Sequence, residues 1–396
     1  MSSEQNLDFS ILPLPRIHFG AGKLSCLPSS VSAYGRTLLL VTGRSTLRRS
    51  EAASGLLEEF HRSGIEVELL EVAGEPSPEL IDHAVELGRK RPFDAVAAIG
   101  GGSVLDAGKA ISGMLLQHHS VERFIEGRPG VLLHDGRKVP FIAVPTTSGT
   151  GSEVTNNSVI SRVGPGGFKR SLRHPAFVPD VAIIDPELMV SLPREVTVST
   201  GMDAFTQLLE AYLSPFASAY TDALCCSGLE HFARSFEAAS GDGAASVAVR
   251  ADMAYAALMS GIALANAGLG IVHGFASSVG GLFDIPHGTL CATLLAEATR
   301  ENIRQLQAKG EPSVGLSKFA NAARILTGKS FSSEAEACEQ LVAKLEAWQE
   351  QFAFPRLGEF GMSEEDFEEI IATTRSKSNA APLDAAAMRR ILAARV

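Results

Sequence analysis

Through the first half of the chain, short runs of apolar, often β-branched residues alternate with stretches whose apolar positions recur at helical spacing. "RTLLLVTG", "IEVELLEV", "FDAVAAIGGGS" and "FIAVPTT" read as buried strands. Between them "SEAASGLLEEFHRSG", "SPELIDHAVELGRKR" and a segment from about Val104 read as helices. Such alternation produces a parallel sheet covered by helices on both faces, a Rossmann-like α/β domain. After "DVAIIDPELMVSLP" the period changes. From about Glu195 onward every periodic segment is helical, as in "GMDAFTQLLEAYLS", "VAVRADMAYAALMSGIALANA", "EAEACEQLVAKLEAWQEQF" and "SEEDFEEIIATTR". The pattern predicts an α/β domain over residues 1–190 and an all-helical domain over 191–396, with no strand in the second. "GPGG" near 164 and "GDGAAS" near 241 read as loops.

Composition narrows the possible partners. A chain of 396 residues with 45% hydrophobic content has room for two cores, and the net charge of −10 comes with no lysine or arginine stripe. Nucleic acid is therefore not an expected partner. Cys26, Cys225, Cys226, Cys291 and Cys338 are scattered, with no CxxC, which points to reduced thiols rather than a disulfide framework. No basic start followed by an apolar core opens the chain, and no run of eighteen apolar residues occurs. The reading expects a soluble, cytoplasmic protein that does not enter membranes.

Three stretches carry chemistry. In residues 95–111 a buried strand runs into Gly100, Gly101 and Gly102 and then into a helix begun by Ser103. Bare backbone N–H groups and a helix N-terminus there suit a pyrophosphate; a tight turn without a ligand is the plainer alternative. The stretch is not GxGxxG, since Leu105 stands where the third glycine would be. Residues 144–160, "VPTTSGTGSEVTNNSVI", follow another strand, and Thr146, Thr147, Thr150 and Ser152 offer hydroxyls for ribose or nicotinamide groups. Lastly, "HGFASSVGGLFDIPHG" places His273 and His287 fourteen residues apart, each followed by glycine.

"GGGSVLDAGKAI", "VPTTSGTGSEVT", "GMDAFTQLLEAY" and "VHGFASSVGGLFDIPHG", in this order, resemble the iron-containing alcohol dehydrogenase family. The likeness runs from "PRIHFGAGKLSCLP" to "NAAPLDAAAMRRIL". It implies a dehydroquinate synthase-like two-domain architecture, a homodimer, and an NAD(P)-dependent alcohol dehydrogenase. The first domain would hold the cofactor, with Asp106 and Lys169 among its contacts, and the helical domain a divalent metal, Fe²⁺ or Zn²⁺. Asp203, His273 and His287 match the family's metal-binding positions, a donor set that suits either ion.

Two positions depart from the pattern. Gln207 stands where a third metal-binding histidine is usual, and Ser277 where a histidine near the substrate is usual. Asp203 with Gln207, and His273 with Ser277, share helix faces by i,i+4 spacing. An amide oxygen is a weaker donor than imidazole, so the expectation is a metal held loosely by Asp203, His273 and His287 with Gln207 as weak fourth ligand, or no metal. Glycerol dehydrogenases resemble the three-ligand zinc case and maleylacetate reductases the metal-independent one. The expected reaction is reversible hydride transfer between the nicotinamide and a small alcohol, its aldehyde or ketone being the other form. The proton would leave through Ser277, a ribose hydroxyl or water. A dehydroquinate synthase-like lyase stays open as an alternative, with Lys169 and Arg170 the nearest candidates for its basic pocket, as does a non-enzymatic binding protein. Where many family members carry an aspartate after the second strand, this chain has Gly43, followed by Arg44 and Ser45, so NADP(H) is expected to be preferred over NAD(H).

Overall fold

The computed structural model describes residues 7–128, 130–164, 166–310 and 312–396. Its first part runs β1 (Arg16–Phe19), α1 (Leu27–Ser32), β2 (Thr37–Gly43), α2 (Thr46–Arg49), α3 (Leu56–Arg62), β3 (Glu66–Val72), α4 (Pro78–Lys90), β4 (Ala95–Gly100) and α5 (Gly102–Met114). Then come β5 (Phe141–Pro145), β6 (Asn157–Arg162), β7 (Phe168–Arg173) and β8 (Val181–Ile184). Six strands form one parallel sheet in the order β1-β8-β5-β4-β2-β3.

Both faces of this sheet are covered, so its central strands can be apolar throughout. Leu39 and Val41 of β2 and Val96 and Ala98 of β4 pack with Ile81, Val85, Leu105 and Ile111 from α4 and α5. The alternate residues Leu38, Leu40, Ala97 and Ile99 face Leu27, Val31, Leu56 and Phe60 on the other side. Period-2 alternation thus sends neighbouring side chains into two different cores.

One element departs from the expected alternation. β6 and β7 pair antiparallel, from Asn157↔Arg173 to Ser161↔Lys169 and Arg162↔Phe168, as a separate two-stranded sheet. Gly164, Gly166 and Gly167 of the stretch read as a loop lie between the two strands of this hairpin. Its strands are too polar to show the apolar alternation by which a strand is recognised.

From Arg194 onward the described residues form helices and connections: α6 (Arg194–Leu213), α7 (Ala219–Ala239), α8 (Val247–Ala267), α9 (Ile271–Leu282), α10 (His287–Gln307), α11 (Val314–Thr327), α12 (Glu334–Gln351), α13 (Phe367–Thr373) and α14 (Ala385–Ala393). Phe205, Phe232, Phe236 and Trp348 meet at the centre, with Phe232 and Phe236 stacked 4.5 Å apart and Trp348 edge-on to Phe236 at 5.2 Å. α8 is long and apolar enough to cross a membrane by length and composition, but most of it is buried in this core, which accounts for its apolarity. The two parts touch backbone to backbone. Gly151, in the left-handed region at φ 62°, lies so close to α8 that a Cβ on it would stand 2.4 Å from Gly261 Cα. Only glycine fits there, for both conformation and space.

Candidate active site

The two small-residue loops lie side by side at the C-terminal ends of β4 and β5. The helix after β4 starts at Gly102 with Gly101 as its N-cap. A Cβ on Gly102 would come within 2.4 Å of Thr150 Cγ2, so a side chain there would push the loops apart. Thr146 N–H donates to the Gly100 carbonyl (2.9 Å). Backbone donors at a helix start, beside a row of hydroxyls, make a cradle for a phosphorylated cofactor.

Beneath the cradle lies a polar network that the sequence did not announce. Lys109 on α5 is buried, and its ammonium donates to the Ser152 carbonyl (2.7 Å), Ser152 Oγ (2.9 Å), Thr155 Oγ1 (2.9 Å) and the Asn157 carbonyl (2.8 Å). Burial pushes its pKa down to about 8 despite the nearby Asp106. Asp106 accepts from the Ser152 hydroxyl and from Val159 N–H (2.9 Å), so these two expected cofactor contacts engage each other. Glu153, also buried, is pushed up to about 7 by desolvation. Lys169 lies 3.1 Å from a Glu75 carboxylate oxygen. Gly43 ends β2, while Arg44 is exposed and its carbonyl accepts from Arg48 (2.6 Å).

On the helical side, α6 presents Asp203, Gln207 and Glu210, α9 presents His273 and Ser277, and α10 begins at His287 with Cys291 one turn later. Asp203 Oδ1 is 3.3 Å from His273 Nε2 and 3.5 Å from His287 Nε2. Cys291 Sγ lies 3.9 Å from each of those two nitrogens. Glu210, unexpected from sequence, accepts from His273 Nδ1–H (2.7 Å) and from Val272 N–H (2.7 Å). Gln207, expected as a weak fourth metal ligand, has its carbonyl oxygen accepting from Ser260 Oγ–H (2.7 Å). Ser277 Oγ–H donates to the His273 carbonyl (3.1 Å), and Ser277 lines a cavity of about 810 Å³ that also reaches His273.

This donor set fits a divalent metal. Because Glu210 takes the proton of His273 Nδ1, the Nε2 lone pair of that ring faces the Asp203 carboxylate, and positive charge is needed between them. Without a metal a proton serves. Burial lowers the proton affinity of His273, but the Cys291 sulfur, Asp203 and Glu210 outweigh it and hold its pKa well above the ordinary histidine range. Burial raises the pKa of Cys291, yet His287 and His273 pull it below the ordinary thiol value. The buried His287 Nδ1 has no hydrogen-bond partner among the described residues. His231, by contrast, pairs with Asp252 (2.8 Å) and His174 caps a short turn through Ala176 N–H (3.1 Å), in keeping with structural roles.

A nucleotide-type cradle on a parallel sheet, facing a carboxylate and imidazole cluster on a helical bundle, defines a two-domain enzyme that works with cofactors. The chain belongs to the iron-containing alcohol dehydrogenase family. It matches that family's N-terminal region, described as "Iron-containing alcohol dehydrogenase", over residues 15–186, and the C-terminal region, "Fe-containing alcohol dehydrogenase family, C-terminal", over residues 197–395. It is 35% identical over 359 residues to long-chain-alcohol dehydrogenase 1 of Geobacillus thermodenitrificans, covering 90% of this chain and 87% of the relative. It is 32% identical over 366 residues to an NADPH-dependent butanol dehydrogenase of Clostridium saccharobutylicum, covering 89% and 87%. The fold superposes on the crystal structure of a 1,3-propanediol oxidoreductase with a TM-score of 0.87 at 29% identity, over 98% of this chain and 100% of the other. By this membership the chain is an oxidoreductase that acts on alcohols.

Proposed function

We propose that this chain catalyses reversible hydride transfer between NADP(H) and a small alcohol or its carbonyl form, with residues 1–190 binding the nicotinamide and residues 191–396 holding a divalent metal through Asp203, His273 and His287. The observation that carries the reading is the convergence of two imidazole nitrogens, from α9 and α10, within 3.5 Å of Asp203 Oδ1 on α6, at a cavity wall that His273 lines. When bound, the nicotinamide would supply the acceptor for a hydride from the carbinol carbon, and the cation would supply stabilisation of negative charge on the neighbouring oxygen.

The chain's own residues do the rest. Glu210 fixes the tautomer and tilt of His273. Gly100–Gly102 and Thr146–Ser152 orient the cofactor from the sheet, and Lys109 keeps the second loop in place from below. Ser277, at the cavity wall, can take the hydroxyl proton and pass it to water. The NADPH-dependent relative and the absence of an acid at Gly43 support the phosphorylated cofactor. A homodimer and a cytoplasmic location complete the reading, the latter supported by five free cysteines.

Purified protein incubated with NADP⁺ and a panel of alcohols, before and after chelation and with Zn²⁺ or Fe²⁺ added back, tests this. Reduced cofactor that disappears on chelation and returns with metal is expected. A full rate in chelated, metal-free protein would remove the metal from the reading and leave the histidines as substrate-orienting groups.

A further inference from the structure

We infer that Cys291 is a thiolate ligand of the metal, making the site a carboxylate, two imidazoles and a sulfur. This rests on the reading that Asp203, His273 and His287 hold a divalent cation. Cys291 follows His287 by one helical turn, so both side chains leave the same face of α10. Its sulfur is fully buried and lies 3.9 Å from both Nε2 atoms, and one donor atom from each of the four residues falls within 4.8 Å of all the others. An ion with metal–N and metal–O lengths of about 2.0–2.2 Å and metal–S of about 2.3 Å keeps tetrahedral ligands about 3.3–3.8 Å apart. The 3.3, 3.5 and two 3.9 Å spacings lie within a few tenths of an ångström of that range, and no pair of the four exceeds 4.8 Å.

Gln207 offers only a neutral amide oxygen, one lone pair of which already accepts from Ser260. The stronger fourth donor lies on a different helix, α10 instead of α6. Sulfur is a softer donor than amide oxygen and suits Zn²⁺. Four strong donors predict a firmly held metal, in place of the loose site that Gln207 alone would give.

Loading the chelated protein with Co²⁺ tests the ligand directly. A thiolate-to-cobalt charge-transfer band in the near ultraviolet is expected in the parent protein and is lost in Cys291→Ser, with Zn²⁺ affinity weakened about tenfold or more. Zinc-edge X-ray absorption on the unmutated protein should show one sulfur at about 2.3 Å, and needs no variant to fold. Co²⁺ bound stoichiometrically with no charge-transfer band, or a zinc spectrum lacking sulfur, overturns the thiolate and leaves the metal reading intact. Failure of the parent protein to bind either ion overturns both.

A separate observation concerns the cavity's charge. Arg170, Arg375 and Lys377 line it together with His273 and Ser277, and none of the three has a carboxylate partner among the described residues. Lys169 and Arg173, also on its wall, are matched by Glu75 and Glu126, leaving Glu369 as the one unmatched acid of the lining. Arg170 and Arg375 approach each other beside Gly127, where a Cβ would lie 2.8 Å from Arg170 Nη1 and 3.8 Å from Arg375 Nη2. Two guanidinium groups near one glycine, neither in an ion pair among the described residues, favour an oxyanion, and a cavity lined by more cations than acids in a chain of net charge −10 draws anions selectively. We propose that the substrate of this dehydrogenase is a short alcohol, or its aldehyde, that carries a carboxylate, phosphonate or phosphate at its far end.

Oxidation of 4-hydroxybutanoate and 3-hydroxypropylphosphonate, each compared with 1-butanol, tests the class. At least one anion is expected to exceed butanol about tenfold in kcat/KM at low salt, with the advantage shrinking as ionic strength rises. Arg170→Gln with Arg375→Gln should raise KM for the anion and leave butanol within about twofold. Butanol turning over as well as both anions overturns the proposal, as does a double variant whose only change is a higher KM for NADP⁺. Calorimetric titration of the two anions into the holoenzyme separates this from failure of the dehydrogenase reading: binding lost in the double variant supports the anion site even without turnover, and absence of binding overturns it.

Discussion

His273 and Glu210 stand 2.7 Å apart, Nδ1 to Oε2, and the second oxygen of Glu210 accepts from the backbone of Val272, one residue before the histidine. The carboxylate thereby holds both the ring and the helix turn that carries it. Glu210→Gln keeps the shape but removes the charge and one acceptor. Its expected effect is a 10–100-fold loss of metal affinity, the usual result of removing such a partner. Competition with a chromophoric chelator measures it; unchanged affinity would mean that Glu210 serves only the helix.

His287→Ala removes one donor from the helical side and touches nothing in the phosphate cradle. Turnover should fall by at least about a hundredfold, since charge stabilisation at the reacting oxygen is a major part of such a barrier. NADP⁺ binding followed by fluorescence or calorimetry should change little. Loss of both together would mean that the imidazole also holds the cofactor.

Gly43→Asp places an acid at the end of β2. A Cβ there meets Thr46 Oγ1 at 2.8 Å, a flexible hydroxyl that can rotate away, so the variant should fold. The carboxylate repels a 2′-phosphate and accepts from ribose hydroxyls. The ratio of kcat/KM for NADP⁺ over NAD⁺ should drop at least tenfold. An unchanged ratio, or a parent enzyme that already favours NAD⁺, refutes the cofactor assignment.

Glu153 binds its proton more tightly folded than unfolded, with a pKa pushed up to about 7 by burial. Its contribution is present below the ordinary glutamate pKa and is lost as pH rises through about 7, a change on the order of 3 kcal/mol. Glu153→Gln should therefore gain stability relative to the parent between pH 5 and 7.5, measured by denaturant unfolding. Lys109, pushed down to about 8, acts in a separate window, with stability rising from there toward the ordinary lysine pKa. Parallel pH profiles for parent and variant would show that Glu153 is not a buried acid.

The sheet was legible because β2, β4 and β5 are apolar on both faces, a pattern that needs no knowledge of neighbours. The helical half was legible because its segments repeat at 3.6 residues. The β6–β7 hairpin was not, since Lys169, Arg170 and Arg173 make β7 read like an exposed loop until the fold surrounds it. At the site, Asp203, His273 and His287 could be read from motif and residue type. Glu210 could not: an acid seven positions after Asp203 looks like any solvated helix charge, and its burial depends on α9 lying across it. Lys109 was hidden in the same way. Cys291 did leave a signal, the His-x-x-x-Cys spacing from His287, but a lone cysteine gains meaning only when α6 and α9 bring Asp203 and His273 to it.

The contact between Gly151 and Gly261 joins the cofactor loop to the longest apolar helix without any side chain in between. The Lys109 network holds the residues that follow Gly151 to α5, so the loop meets α8 from a fixed base. A side chain at either position would wedge the two parts apart, so the facing of cradle and donor cluster depends on two residues that carry no Cβ.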